Sequence, residues 1–247
     1  DKVITYANKV IKTPGVELED SYETLWGYDE TTKDCLKRNT KEGILEVHWT
    51  TGSGNWETWM YGRQLDNWDY YFTWAKWITP SRDIINDFEK EGDEIRKNQA
   101  IVYYACTWSN YYPASNYPFM YKLRSSYSNI YWIRLADIIL MKAEAEAYKG
   151  NLDESAKLVN QIRKRAKLKE LTSDKTNSKE AMIEAVLHER RLELAFEGER
   201  WFDLCRNNKV EKYLNGIDNR DKGRIKQVKQ FDSNSYLLPI PQTALDQ

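Results

Sequence analysis

Hydrophobic positions along the chain change their period near residue 130. Before it, apolar runs are short: Ile4, Ala7 and Ile11 predict a brief helix closed by Pro14-Gly15. Residues 43–49 (GILEVHW) alternate apolar and polar side chains, a strand pattern, and run into a turn at Thr51-Gly52-Ser53-Gly54. Ile84, Ile85 and Phe88 predict another short helix after Pro80, and residues 103–132 read as aromatic loop, with Pro113 and Pro118 opposing regular structure. After residue 130 the period is helical. Leu135, Ile139, Ala143 and Ala147 recur every four residues in a segment over about 131–149, and Ala156, Val159, Ile162 and Ala166 share a face of one over about 152–167. A third segment starts after a polar linker at 172–178 and is expected to continue to about Arg206. Asn151 with Glu154, and Asn177 with Glu180, fit capping pairs.

A helix, a Gly150-Asn151 turn and a second helix predict an αα-hairpin, and residues 143–156 resemble one tetratricopeptide unit. The expected fold is mainly α: helical hairpins over 131–247 overlaid by a loop-rich aromatic subdomain over 1–130, together one structural domain.

Composition sharpens this picture at one point. Aromatic residues are 13% of the 247, with ten Trp and seventeen Tyr, and nine of the Trp lie at or before Trp132. Trp49, Trp56, Trp59, Tyr61, Trp68, Tyr70, Tyr71, Phe72, Trp74 and Trp77 crowd into one segment, interleaved with Asn55, Glu57, Arg63, Gln64, Asp66, Asn67 and Asp69. A sugar ring presents an apolar C–H face and a hydroxyl rim, so its recognition needs flat rings beside amides, carboxylates and Arg. Burying a large ring is worth roughly 1.5–3 kcal/mol, so most of these rings are expected in the core and one to three on a ligand. Gly, Asn or Asp neighbours select Trp56, Trp59, Trp68 and Trp74, with Tyr61 and Asn67 beside them. Trp108, Tyr111, Tyr112 and Tyr117 form a second aromatic patch.

The remaining chemistry excludes more than it offers. A formal charge of −1 with dispersed Lys and Arg gives no footprint for nucleic acid or an anionic membrane surface. No stretch approaches the roughly 18 apolar residues that span a bilayer. Cys35, Cys106 and Cys205 are odd in number and read as small buried hydrophobes. His188-Glu189 opens like a zinc-protease helix, but Leu192 replaces the second His, so neither metal nor cofactor is expected. Arg190, Glu193, Glu197 and Arg200 line one face of the predicted third helix. A glycosidase needs one carboxyl kept protonated across a cleft from another, whereas carboxylates flanked by Arg stay ionised. The stripe reads as scaffold and no catalytic residue is assigned. Gly198 is placed mid-helix, where it would permit close packing.

Four ordered stretches carry a family resemblance. Residues 132–145 (WIRLADIILMKAEA) are similar to the "RxADxxLxxAEA" helix of the SusD/RagB family. Residues 160–166 (NQIRKRA), 189–204 (ERRLELAFEGERWFDL) and 237–241 (LLPIP) match its following motifs, and 46–49 and 87–96 resemble it more loosely. The resemblance implies the C-terminal part of a lipoprotein on the extracellular face of a Bacteroidetes-type outer membrane. Such a protein covers a TonB-dependent SusC-like transporter and captures an oligosaccharide, or in some members peptide, without catalysis. Neither a leader nor a lipidation cysteine opens the sequence, so a longer precursor is expected, its lipid anchor lying outside this chain. The alternatives are a peptide- or protein-binding helical-repeat module and a glycoside hydrolase.

Overall fold

The computed structural model describes residues 1–29, 31–32, 34–49, 79–106, 109, 111–124, 128–222, 230–237 and 240–246. The chain forms two compact units, residues 1–198 and 199–247.

In the first unit, α1 (Lys2–Ile11), α2 (Glu23–Trp26), β1 (Tyr28–Asp29), β2 (Asp34–Cys35) and β3 (Gly43–Val47) precede α3 (Arg82–Glu91) and α4 (Glu94–Ala100). Then come β4 (Ile101–Tyr104), β5 (Tyr117–Met120), β6 (Ile130–Arg134), α5 (Leu135–Lys149), α6 (Leu152–Arg165), α7 (Ser173–Thr176) and α8 (Lys179–Glu193). The central rod is α5, on which α1, α6 and α8 all pack. Its expected stripe of Leu135, Ile139, Ala143 and Ala147 is buried, and Leu158, Val159 and Ile162 of α6 and Met182 and Val186 of α8 close the core around it. The Ser155 hydroxyl donates to the Ala143 carbonyl at 2.7 Å, which pins α6 against α5 where small side chains let the backbones approach. The hairpin turns at Gly150, whose φ of +84° suits glycine.

The helices after Pro14-Gly15 and Pro80 are as expected, but several boundaries differ. Residues 130–134 are strand, not the start of α5. Tyr131 and Ile133 have β-favouring side chains, and β6 pairs antiparallel with β3, Leu45 opposite Ile133 and Val47 opposite Ile130. Within the expected aromatic loop, β4 pairs with β5, placing Pro118 opposite Tyr103. A two-strand ribbon leaves one edge of each strand unpaired, and there proline's missing N–H costs nothing. Neither capping pair forms. Asn151 donates instead to Glu146 at 2.7 Å, Glu154 pairs with Lys142, and Ser178 caps α8 by accepting the Ala181 N–H at 3.1 Å.

The third helix stops at Glu193 rather than running to Arg206. A continuing helix would bond the Glu193 carbonyl to the Glu197 N–H. That carbonyl instead accepts from the Tyr22 hydroxyl (2.8 Å), Lys122 Nζ (3.2 Å) and Arg134 Nη2 (2.8 Å). The chain then breaks through Phe196 at φ +67° and Gly198 at φ +92°. Nothing lies within 4 Å of a Cβ built on Gly198, so glycine serves backbone conformation there, not close packing. Gly198→Ala is therefore expected to cost about 1–2 kcal/mol from the left-handed backbone alone, read as a lower urea midpoint at unchanged slope.

The second unit holds α9 (Arg200–Arg206), α10 (Val210–Leu214), α11 (Asn219–Lys222), a 3-10 turn at Ser233–Tyr236 and α12 (Gln242–Leu245). The Asn215 side chain bonds both the carbonyl and the N–H of Phe231 at 2.8 Å, tying the segment before the turn to α10. Cys106 is buried, whereas Cys35 and Cys205 are half-buried, and the Cys35 thiol donates to Asn129 Oδ1 at 3.6 Å.

Candidate binding site and its charged foundation

Trp56, Trp59, Tyr61, Asn67, Trp68 and Trp74 lie outside the described residues. The chain on either side of them is held by dense bonding. Before them, Arg38 donates to the Trp49 carbonyl at 2.8 Å. The buried Glu46 carboxylate accepts from the Asn39 and Thr40 N–H groups, the Thr40 hydroxyl and Asn129, and pairs with His48 Nε2 at 2.9 Å. After them, the Thr79 and Tyr117 hydroxyls meet at 2.5 Å and the Tyr112 hydroxyl donates to the Pro80 carbonyl at 2.7 Å. The Arg82 guanidinium lies 4.2 Å over the Tyr112 ring.

The residues of the second aromatic patch differ in exposure. Tyr117 is buried among Cys106, Phe119 and Tyr112, and cannot serve as a platform. Tyr111 is exposed, Tyr112 is half-buried, and Trp108 lies outside the described residues. Trp132, which periodicity assigned to a helix, is 65% exposed on β6. Of its strand neighbours, Tyr131 is buried and Ile133 is exposed.

Residues of the first three motifs meet in a buried network of ion pairs. Arg134 places its guanidinium among three carboxylates: Nη1 meets Glu42 at 2.8 Å and Glu193 at 2.6 Å, and Nε meets Glu197 at 2.7 Å. Arg165 bridges Glu42 and Glu193 as well. Arg96 bonds Asp93 (2.5 Å), Glu189 (2.7 Å) and Glu193 (3.2 Å), while Arg163 joins Glu189 (2.9 Å) to Glu91 (2.9 Å). Lys122 meets Glu197 at 2.6 Å, and Arg190 meets Asp137 at 2.7 Å. Burial alone would raise the Glu193 pKa, but Arg165, Arg134 and Arg96 outweigh it and hold the group well below the usual carboxylate range. Glu197 is likewise lowered: burial opposes ionisation, and Arg134 and Lys122 prevail. The two carboxylates share Arg134, and the surrounding cations favour their ionised forms. This is the electrostatics of a scaffold, opposite to that of a paired acid and base.

The expected single-face stripe of Arg190, Glu193, Glu197 and Arg200 is not formed, because Glu197 and Arg200 lie beyond the end of α8. Its structural reading nevertheless holds for Arg190, Glu193 and Glu197. His188 meets Glu91 at 3.1 Å, a pair on the rim of the same cluster. No group of His, Cys, Asp or Glu able to hold a metal ion occurs among the described residues.

Residue spacing did not reveal Glu42 or Lys122 as members. Arg96 carried a signal, since Asp93 three residues earlier places both on one helical turn.

Comparison with known proteins accounts for this convergence. The SusD family model matches residues 110–247, more than half the chain. SusD-like protein P38 of Formosa agariphila is 39% identical over 104 residues, covering 40% of this chain and 21% of that protein. A SusD superfamily protein from Bacteroides vulgatus superposes with a TM-score of 0.71 at 24% identity, covering 98% of this chain and 56% of the other. Surface glycan-binding protein A from Bacteroides thetaiotaomicron, in complex with laminarihexaose, superposes with a TM-score of 0.73 at 19% identity, with the same two coverages of 98% and 56%. The chain thus spans about a fifth of the curated relative and about half of each solved structure, which share its fold. With the family model matched over more than half of its length, the chain belongs to the SusD family.

Proposed function

We propose that this chain is part of a non-catalytic binder that captures an oligosaccharide at the outer face of a bacterial outer membrane and delivers it to a TonB-dependent SusC-like transporter. A lipid anchor elsewhere in the longer protein would hold it at the surface. The observation that carries this reading is the run of ten rings between Trp49 and Trp77, interleaved with amide, carboxylate and guanidinium side chains, in a SusD family member. A related fold holding laminarihexaose supports the ligand class.

In this reading Trp56, Trp59, Trp68 and Trp74 supply stacking faces, and Tyr61 and Asn67 supply hydrogen bonds to hydroxyls. Titrating intrinsic fluorescence with bacterial, plant and host oligosaccharides tests it. One glycan class is expected to give a saturable change, weakened about tenfold or more by Trp68→Ala, or roughly 1.4 kcal/mol, at unchanged unfolding midpoint. Saturable binding of peptides alone would overturn the ligand class. Glycan binding indifferent to all four Trp→Ala changes would overturn the site.

A further inference from the structure

Between α9, α10 and the 3-10 turn lies an open cleft of about 860 Å³, lined by Phe202, Arg206, Asn208, Glu211, Ser233 and Tyr236, among others. That volume falls in the range of small-molecule sites, roughly 300–1,000 Å³. Its walls are fixed independently of any ligand. The Tyr236 hydroxyl bonds the Glu211 carboxylate and accepts the Val210 N–H at 3.2 Å, joining the turn to α10. Asp232 caps the turn in a reciprocal pair with Ser235.

The lining combines one exposed ring with short polar groups. Phe202 is 65% exposed, and Leu237 extends the apolar lip. Asn208, Ser233, Glu211 and Arg206 stand around it as an amide, a hydroxyl, a carboxylate and a guanidinium. An apolar face within a rim of donors and acceptors matches a pyranose, which offers C–H groups on its face and hydroxyls around its edge. A peptide strand would instead seek a sheet edge for its backbone, and every element that lines this cleft is a helix, a turn or a loop.

We infer that this cleft is an auxiliary subsite for one or two units of an extended oligosaccharide, separate from the Trp49–Trp77 segment. The inference rests on the proposal that the protein handles glycans, and adds a site to it.

The test is calorimetric titration of the chain with laminarihexaose, maltoheptaose and xylohexaose, and with a phenylalanine-containing tetrapeptide. Wild type, Trp56→Ala/Trp68→Ala, Phe202→Ala and Ser233→Tyr are compared; the last fills the cleft from an exposed position, guarding against a folding defect in Phe202→Ala. Residual saccharide binding in the double Trp variant, abolished by adding either cleft change, is the expected result. Loss of all saccharide binding in the double Trp variant would overturn the cleft alone, as would residual binding indifferent to both cleft changes. Full binding in the double Trp variant that vanishes with Ser233→Tyr would overturn the aromatic-segment site and leave the cleft standing. No saccharide binding by wild type, with or without peptide binding, would overturn both.

Discussion

Replacing Arg134 by methionine is expected to cost about 3–5 kcal/mol of folding stability, because it leaves buried carboxylates short of their principal cation. Arg134 bonds Glu42, Glu193 and Glu197 and also the Glu193 carbonyl that ends α8. Without it, Lys122 remains on Glu197, and Arg165 must serve Glu42 and Glu193 together. Native domains hold only about 5–15 kcal/mol, so the variant would keep a small margin and melt on the order of 10 °C lower. Arg134→Lys should not rescue it, since one ammonium cannot span three carboxylates and a carbonyl as a planar guanidinium does. Urea unfolding of the three proteins decides this; a loss under about 1 kcal/mol for methionine would mean that Arg134 is not the centre of the cluster.

The second large effect is a rise of stability with alkaline pH. Burial pushes Lys122 down to about 8 despite the opposing pull of Glu197, and its Nζ sits 4.7 Å over the Trp26 ring. An unfolded lysine titrates near ~10.4. Between those values the unfolded chain binds more protons than the folded one, so stability increases as the pH rises, by up to about 3 kcal/mol. Tyr22 acts oppositely, because its hydroxyl is raised well above the ordinary value by burial and by Glu193, so unfolding releases its proton above about pH 10. The comparison therefore belongs between pH 7.5 and 10, with Lys122→Met as the reference that lacks the rise. Parallel stability curves for the two proteins would contradict the assignment. On the acid side the slope has the same sign but another origin: Glu193 and Glu197 are depressed, so their contribution is present above about pH 4.3 and is lost progressively below it.

Helical periodicity was legible because packing on α5 repeats every turn, so Leu135, Ile139, Ala143 and Ala147 announce themselves locally. The end of α8 was not, since the side chains that claim the Glu193 carbonyl come from residues 22, 122 and 134, far away in sequence. Strand β6 was missed for the same reason: its partner is β3, almost ninety positions earlier. The motifs located Arg134, Arg163, Arg165 and Glu193, and the structure adds what joins them, a neutralisation of charge that spacing alone does not encode. The aromatic run was legible as composition. Which of its rings meet a ligand depends on exposure, which composition does not carry.

Capture of oligosaccharide by this SusD family chain is decided by calorimetric titration of the wild-type chain against laminarihexaose and oligosaccharides of other linkages. Saturable heat for one linkage class is the expected result. Absence of heat with every oligosaccharide, alongside saturable binding of a peptide library, would contradict it.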